Sequence, residues 1–222
     1  MESLWLLAEI LVINLVLSGD NAVVIAMSSQ HLPEPKRKQA VWWGVGGAVL
    51  LRCLLTVVAM WLIQIPLLKA AGGLLLFVIA VQLLADRSHA HSRDGASFSL
   101  WSAVQTILIA DFVMSLDNVL AIAAIAKGQM TYIIIGIALS IPIIVWGSTI
   151  ISKWLQRMPL LIFAGSGILG FTAGEMIASD ERLALWMPRL WMSLHHGFPW
   201  AMVALVMIVG TVIRYQDRIR VD

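Results

Sequence analysis

Asn14-Leu15-Val16-Leu17-Ser18-Gly19-Asp20-Asn21 and Asp111-Phe112-Val113-Met114-Ser115-Leu116-Asp117-Asn118 are two versions of one phrase, each set in apolar sequence. The polar residues match at four positions: Asn14 with Asp111, Ser18 with Ser115, Asp20 with Asp117 and Asn21 with Asn118. The spacing is 97 residues throughout. An ionised carboxylate is expensive in hydrocarbon and marks a functional site by default. The same expensive set written twice implies a duplicated fold with a paired site.

The surrounding composition sets the class. Of 222 residues, 60% are hydrophobic, against about 45–50% in an ordinary soluble domain. The apolar residues fall into blocks of roughly 20–25, each long enough to cross a hydrocarbon core of about 30 Å as a helix. The expected fold is all-α, a polytopic membrane protein with seven transmembrane helices near 4–29, 39–63, 66–85, 100–126, 130–152, 158–178 and 198–215. The whole of 1–222 reads as one membrane domain, with Pro33 to Lys38 as a loop and the longest internal loop at Asp86 to Ser99. The N-terminal block has no basic leader and no small-residue cleavage motif, so it reads as a retained span.

Charge orients the spans. Ten Lys and Arg lie in one set of loops: Lys36, Arg37, Lys38, Arg87, Arg93, Lys153, Arg157, Arg214, Arg218 and Arg220. Four lie in the other: Lys69, Lys127, Arg182 and Arg189. The positive-inside rule then places the N-terminus outside and the C-terminus in the cytoplasm, across the cell's inner (plasma) membrane. The net charge of +2 comes without a basic, aromatic-interleaved stripe, so nucleic acid is not an expected partner. Trp5, Trp42, Trp43, Trp61, Trp101, Trp154, Trp186 and Trp200 fall near span ends, where indole prefers the interface. The single cysteine, Cys53, reads as a small buried side chain.

The phrases fall in spans one and four. Three spans separate them, and three is odd, so spans one to three run opposite to spans four to six. The expectation is a 3+3 inverted repeat, 4–85 against 100–178, plus one extra C-terminal helix at 198–215. Secondary transporters use this architecture and hold substrate near the midplane. Gly72 and Gly73 in span three, and Gly165, Gly167, Gly170 and Gly174 in span six, support the repeat weakly. Gly170 and Gly174 also form a small-xxx-small pair suited to close helix packing.

On a helix, Asn14, Ser18 and Asn21 share one face, as do Asp111, Ser115 and Asn118. Asp20 and Asp117 point roughly 100–120° away. Either spans one and four are central helices with several interior faces, or the helix breaks near Ser18-Gly19. Leu116 at the position of Gly19 favours the first explanation. Every group in the set offers oxygen, which suits hard divalent ions such as Mg²⁺, Ca²⁺ and Mn²⁺. The candidate ligands are Asp20, Asn21, Asp111, Asp117, Asn118, Asn14, Ser18 and Ser115. Three carboxylates near one midplane repel one another unless a cation sits among them or some are protonated. A cation entering could displace those protons, coupling its passage to a proton gradient. The competing structural reading makes the Asp-Asn pairs interhelical glue.

Glu175 and Glu9 are candidate gates or accessory ligands. Arg52, inside span two, either neutralises a motif carboxylate when no ion is bound or pairs with one permanently. His89 and His91 form a His-x-His in a loop that reads as solvated.

At these residues the chain resembles the TerC family of integral membrane proteins, in the branch assigned to metal, chiefly manganese, transport. The resemblance rests on Asn14…Ser18-Gly19-Asp20-Asn21-Ala22, Asp111…Ser115-Leu116-Asp117-Asn118 and Gly170…Gly174-Glu175, and it covers nearly the whole chain. It implies seven spans, a place among small exporters, a role in Mn²⁺ export and, for some relatives, a link to tellurite resistance. Gln82 departs from the lysine expected there in many relatives. Mn²⁺ is then the transported substrate, other hard divalent cations fit the same donors, and no organic cofactor is implied. The lipid bilayer is the expected surrounding, and the sequence allows a homo-oligomer.

A non-transporting membrane scaffold in metal-stress resistance or secretion complexes is the alternative. It calls for a large exposed loop or tail, and the loops here are short. An enzyme is not expected: the membrane-embedded sequence has no nucleophile–base pair and no zincin or phosphate-loop motif.

Overall fold

The computed structural model describes residues 19–62, 65–85, 99–125, 130–158, 160–186 and 196–219. Within them, side chains are described except at 59–60, 117–125, 130–134, 136–140, 181, 184, 186 and 217–219. The described regular structure is helical. The elements are α1 (Gly19–Ser29), α2 (Glu34–Leu62), α3 (Leu68–Ala85), α4 (Leu100–Ile125), α5 (Met130–Arg157), α6 (Leu160–Ala178), α7 (Glu181–Trp186) and α8 (Phe198–Ile219). Among the described residues, Glu34–Val58, Leu68–Ala85, Leu160–Ala178 and Phe198–Gln216 are long and apolar enough to cross a membrane, and Leu100–Leu116 is a shorter apolar helical stretch. The protein is an all-helical polytopic membrane protein.

One boundary corrects the sequence reading. Pro33 to Lys38 is not a loop: α2 starts at Glu34. A proline is tolerated in the first helical turn, because the N–H it lacks has no intrahelical acceptor there. Arg37 N donates to Pro33 O at 2.8 Å, and the Glu34 carboxylate favours the positive end of the helix dipole. The basic cluster Lys36–Lys38 therefore rides on a helix. Helix α5 likewise runs on past 152 to Arg157, and α7 is a short helix in what reads as a loop.

The chain forms two compact units. The first joins Met1–Leu62 with Leu100–Trp154 and the second joins Ile63–Ser99 with Leu155–Asp222. In the first unit, α2 packs along α4, and α1 packs on both. Ile25, Val41, Val45, Ile107 and Ile144 form a buried cluster drawn from α1, α2, α4 and α5. A second cluster surrounds Leu55, with Leu51, Val58, Leu62 and Phe112. The described stretches of α1 and α4 in and beside the repeated phrases are interior. From Ala110 to Leu116 every residue except Phe112 is buried, and so is every residue from Asn21 to Gln30 except Val23. A stretch of helix buried all round packs inside a core. Helix α4 also runs unbroken through Asp111–Asn118, so span four follows the central-helix explanation. The matching point of span one, at Ser18, lies outside the described residues.

In the second unit α3, α6 and α8 pack together. Glycine sets their separation. A Cβ on Gly73 of α3 would stand 2.7 Å from Ala173 O and Ile177 Cγ1 of α6. The Gly170/Gly174 pair faces α8, where a Cβ on Gly174 would stand 2.5 Å from Pro199 Cα. Without a water-driven attraction between helices in lipid, such backbone approach is what holds them. Asp180, which no sequence motif singles out, is a buried clamp: its Oδ2 accepts Ala70 N at 3.1 Å, and its Oδ1 accepts Arg182 N at 3.0 Å at the start of α7. The one signal in the sequence is an acid just before a helix start, the usual place of a capping residue.

The outward surface is apolar. Trp42, Trp43, Trp61, Trp101, Trp154 and Trp200 are exposed, with Leu54, Val57 and Ile208, as a lipid-facing surface requires. Cys53 is half-buried and not buried, because its neighbour Arg52 takes the interior face of α2.

Gly73→Val should lower stability by about 1–3 kcal/mol, the usual cost of overpacking a tight contact. Thermal unfolding of detergent-purified protein reads this; an unchanged midpoint would show that the α3–α6 contact is not close.

Candidate cation site

In the first unit, buried polar groups meet between apolar clusters. Arg52 of α2 is 3% exposed and Asp111 of α4 is 6% exposed. Arg52 Nη2 donates to Asp111 Oδ1 at 2.7 Å. Arg52 Nε donates to Ser115 Oγ at 3.0 Å, and Ser115 Oγ donates to Asp111 Oδ2 at 3.1 Å. The result is a closed ring of three side chains. The i, i+4 spacing of Asp111 and Ser115 turns both oxygens to one side of α4, where one guanidinium fork reaches both. Thr56 Oγ1 donates to Arg52 O at 2.8 Å, fixing the turn of α2 that carries the arginine.

The polar set sits in a dry place. Along α2, Val45 and Val49 lie on one side of Arg52 and Leu55 and Val58 on the other. Little water is at hand, so the charge-assisted bonds are short and strong. The same dryness makes an unpaired carboxylate costly.

Asp20 and Asn21 enter from α1. The Asp20 carboxylate lies within electrostatic reach of both Arg52 and Asp111, and its Oδ1 accepts Asn21 N at 2.9 Å. Asn21 is buried, and neither its Oδ1 nor its Nδ2 has a hydrogen-bond partner among the described residues. A buried amide without partners is uncommon in a folded protein and calls for an explanation.

The structure thus brings together Asp111, Ser115 and Arg52, with Asp20 in the same field. Asp117 and Asn118 lie on α4 by backbone, with their side chains outside the description. Asn14, Ser18 and Glu9, and the His89/His91 loop, lie outside the described residues. Glu175 is exposed on α6 of the second unit, and Gln82 is exposed on α3. Among the described residues no three His, Cys, Asp or Glu side chains group as metal ligands. The described donor set is two carboxylates with hydroxyl and amide oxygens. Such oxygens fit a hard divalent ion better than a soft one.

The sequence profile of the integral membrane protein TerC family matches residues 1–218. The chain belongs to the TerC family. It is 47% identical over 175 residues to the uncharacterized membrane protein YjbE of Bacillus subtilis (strain 168), a match covering 79% of this chain and 80% of that relative. It is 26% identical over 194 residues to YkoY of the same organism, covering 78% of this chain and 59% of YkoY. Against the UPF0053 protein YegH of Escherichia coli (strain K12) it is 26% identical over 185 residues, covering 72% of this chain and 34% of YegH. YegH therefore extends well beyond the part this TerC chain matches. No solved structure matches the chain.

Arg52→Ala should destabilise this TerC protein by about 3–5 kcal/mol, because it strands the buried Asp111. The double variant Arg52→Met with Asp111→Leu should recover most of the loss. Unfolding midpoints of wild type and both variants form the measurement. A double variant as unstable as Arg52→Ala would deny that the two residues act as a pair.

Proposed function

We propose that this TerC protein is a secondary transporter that exports a hard divalent cation, Mn²⁺ foremost, from the cytoplasm. Asp20, Asn21, Asp111, Asp117 and Asn118 coordinate the ion, helped by Asn14, Ser18 and Ser115. The observation that carries this reading is the buried Asp111–Ser115 pair of the first unit, with the half-buried Asp20 carboxylate within electrostatic reach of it. The Asn21 amide, buried and without a partner among the described residues, supports it, since a buried carbonyl oxygen can serve as a cation ligand.

The 3+3 inverted repeat is part of the proposal. The first unit holds spans one, two, four and five, and the second holds three, six and seven. Matching spans of the two repeats therefore fall in the same unit, as a repeat built from exchanged pairs requires. The proposal takes seven spans from the apolar blocks, and the N-terminus outside with the C-terminus cytoplasmic from the Lys/Arg distribution. The inner membrane is the proposed location; the relative YoaE of Escherichia coli (strain K12), 25% identical over 182 residues, is named an inner membrane protein. Exchange of the ion for protons held on the carboxylates supplies the coupling.

Reconstituted protein should carry Mn²⁺ across liposomes, and Asp20→Asn or Asp117→Asn should reduce flux to background while the protein stays in the membrane. A panel of Mn²⁺, Ca²⁺, Mg²⁺ and Fe²⁺ ranks the substrates. Wild-type vesicles that move none of these ions would end the reading. Flux indifferent to an imposed pH gradient would remove proton coupling alone.

A further inference from the structure

We propose that Arg52 is a tethered cation that holds the Asp111–Ser115 seat when no metal is bound and competes with the metal for it; this rests on the transport reading above. The geometry identifies the competition. Asp111 Oδ1 is taken by Arg52 Nη2 at 2.7 Å, and Ser115 Oγ is taken by Arg52 Nε at 3.0 Å. The third described side-chain oxygen of α4 here, Asp111 Oδ2, belongs to the same carboxylate and accepts from Ser115 Oγ at 3.1 Å. A divalent cation bound to either would share an oxygen with a guanidinium, and two positive charges on one oxygen repel in a site this dry. The guanidinium cannot leave by losing its proton, since arginine stays charged in proteins. It has to move off, and its long flexible stem lets it do so while remaining on α2.

The sequence shows why a cation is carried here. In the first copy of the phrase, neutral Asn14 stands where the second has Asp111. Helices α2 and α5 begin 96 positions apart, at Glu34 and Met130. At that spacing Ser148 stands for Arg52, and at the 97-residue spacing of the phrases Thr149 does. Both are neutral hydroxyls. The charge is thus present on both members of one matched pair, Arg52 with Asp111, and absent from both members of the other, Asn14 with Ser148 or Thr149. Arg52 accompanies the extra carboxylate.

A tethered competitor keeps the empty site neutral around Asp111, so the carrier can return without stranding a buried charge. It also weakens the hold on the metal, which favours release.

The test measures Mn²⁺ binding to full-length purified protein by titration calorimetry, with thermal unfolding in parallel. Arg52→Gln should bind Mn²⁺ at least tenfold more tightly than wild type. It should melt lower without metal and gain more from added Mn²⁺. Its export rate in liposomes should fall, because release slows. Folded Arg52→Gln protein with equal or weaker Mn²⁺ affinity overturns the inference, since a purely structural ion pair gives that result. Should Arg52→Gln not fold, Arg52→Lys decides. Its single-point ammonium holds the seat less well, so Mn²⁺ should bind about threefold tighter; unchanged affinity overturns the proposal. Wild type that transports Mn²⁺ beside an Arg52→Gln variant that fails to tighten removes only the role of Arg52. Wild type that neither binds nor transports a divalent ion removes the transport reading as well.

Discussion

The bond between Arg52 and Asp111 is the constraint on which the first unit turns. A carboxylate buried as Asp111 is has little water to stabilise it. It needs a cation, and α2 supplies one with a guanidinium that also reaches Ser115. That single demand fixes the rotation of α2 against α4. The apolar residues follow: Val45 and Ile107 close over one side of the pair, and Leu55 and Phe112 over the other.

The second unit is built on a different principle. Its helices carry little buried charge and meet by close approach at Gly73, Gly170 and Gly174. Asp180 is the exception, and its carboxylate accepts backbone N–H groups at two helix starts. One unit therefore concentrates side-chain chemistry, while the other concentrates packing. The partition matches the sequence, since the acidic phrases fall in spans one and four and the glycine clusters in spans three and six.

Much of this is legible in the amino-acid sequence. The blocks of apolar residues place the described helices of spans two to seven to within a few positions, because a hydrocarbon core imposes a length. The pairing of Asp111 with Ser115 follows from i, i+4 geometry. The interior position of span four follows from polar residues on more than one of its faces. The start of α2 is not legible in the same way. Two prolines around Glu34 look like a loop, yet a first helical turn tolerates a proline that has no intrahelical bond to lose. Asp180 is hidden too, because a lone acid near a span end resembles an interfacial charge unless the N–H groups that donate to it are known.

The sequence by itself determined that this chain is a helical membrane protein, that an acidic phrase is written in it twice, and that Arg52 lies within a span where it needs a partner. Periodicity and composition decide such things because they act along one helix at a time. Which carboxylate Arg52 takes, that Ser115 completes the ring, and that the Asn21 amide is buried without a partner among the described residues were decided only in three dimensions. Those facts depend on the relative rotation and depth of helices distant in sequence, and packing between side chains sets both.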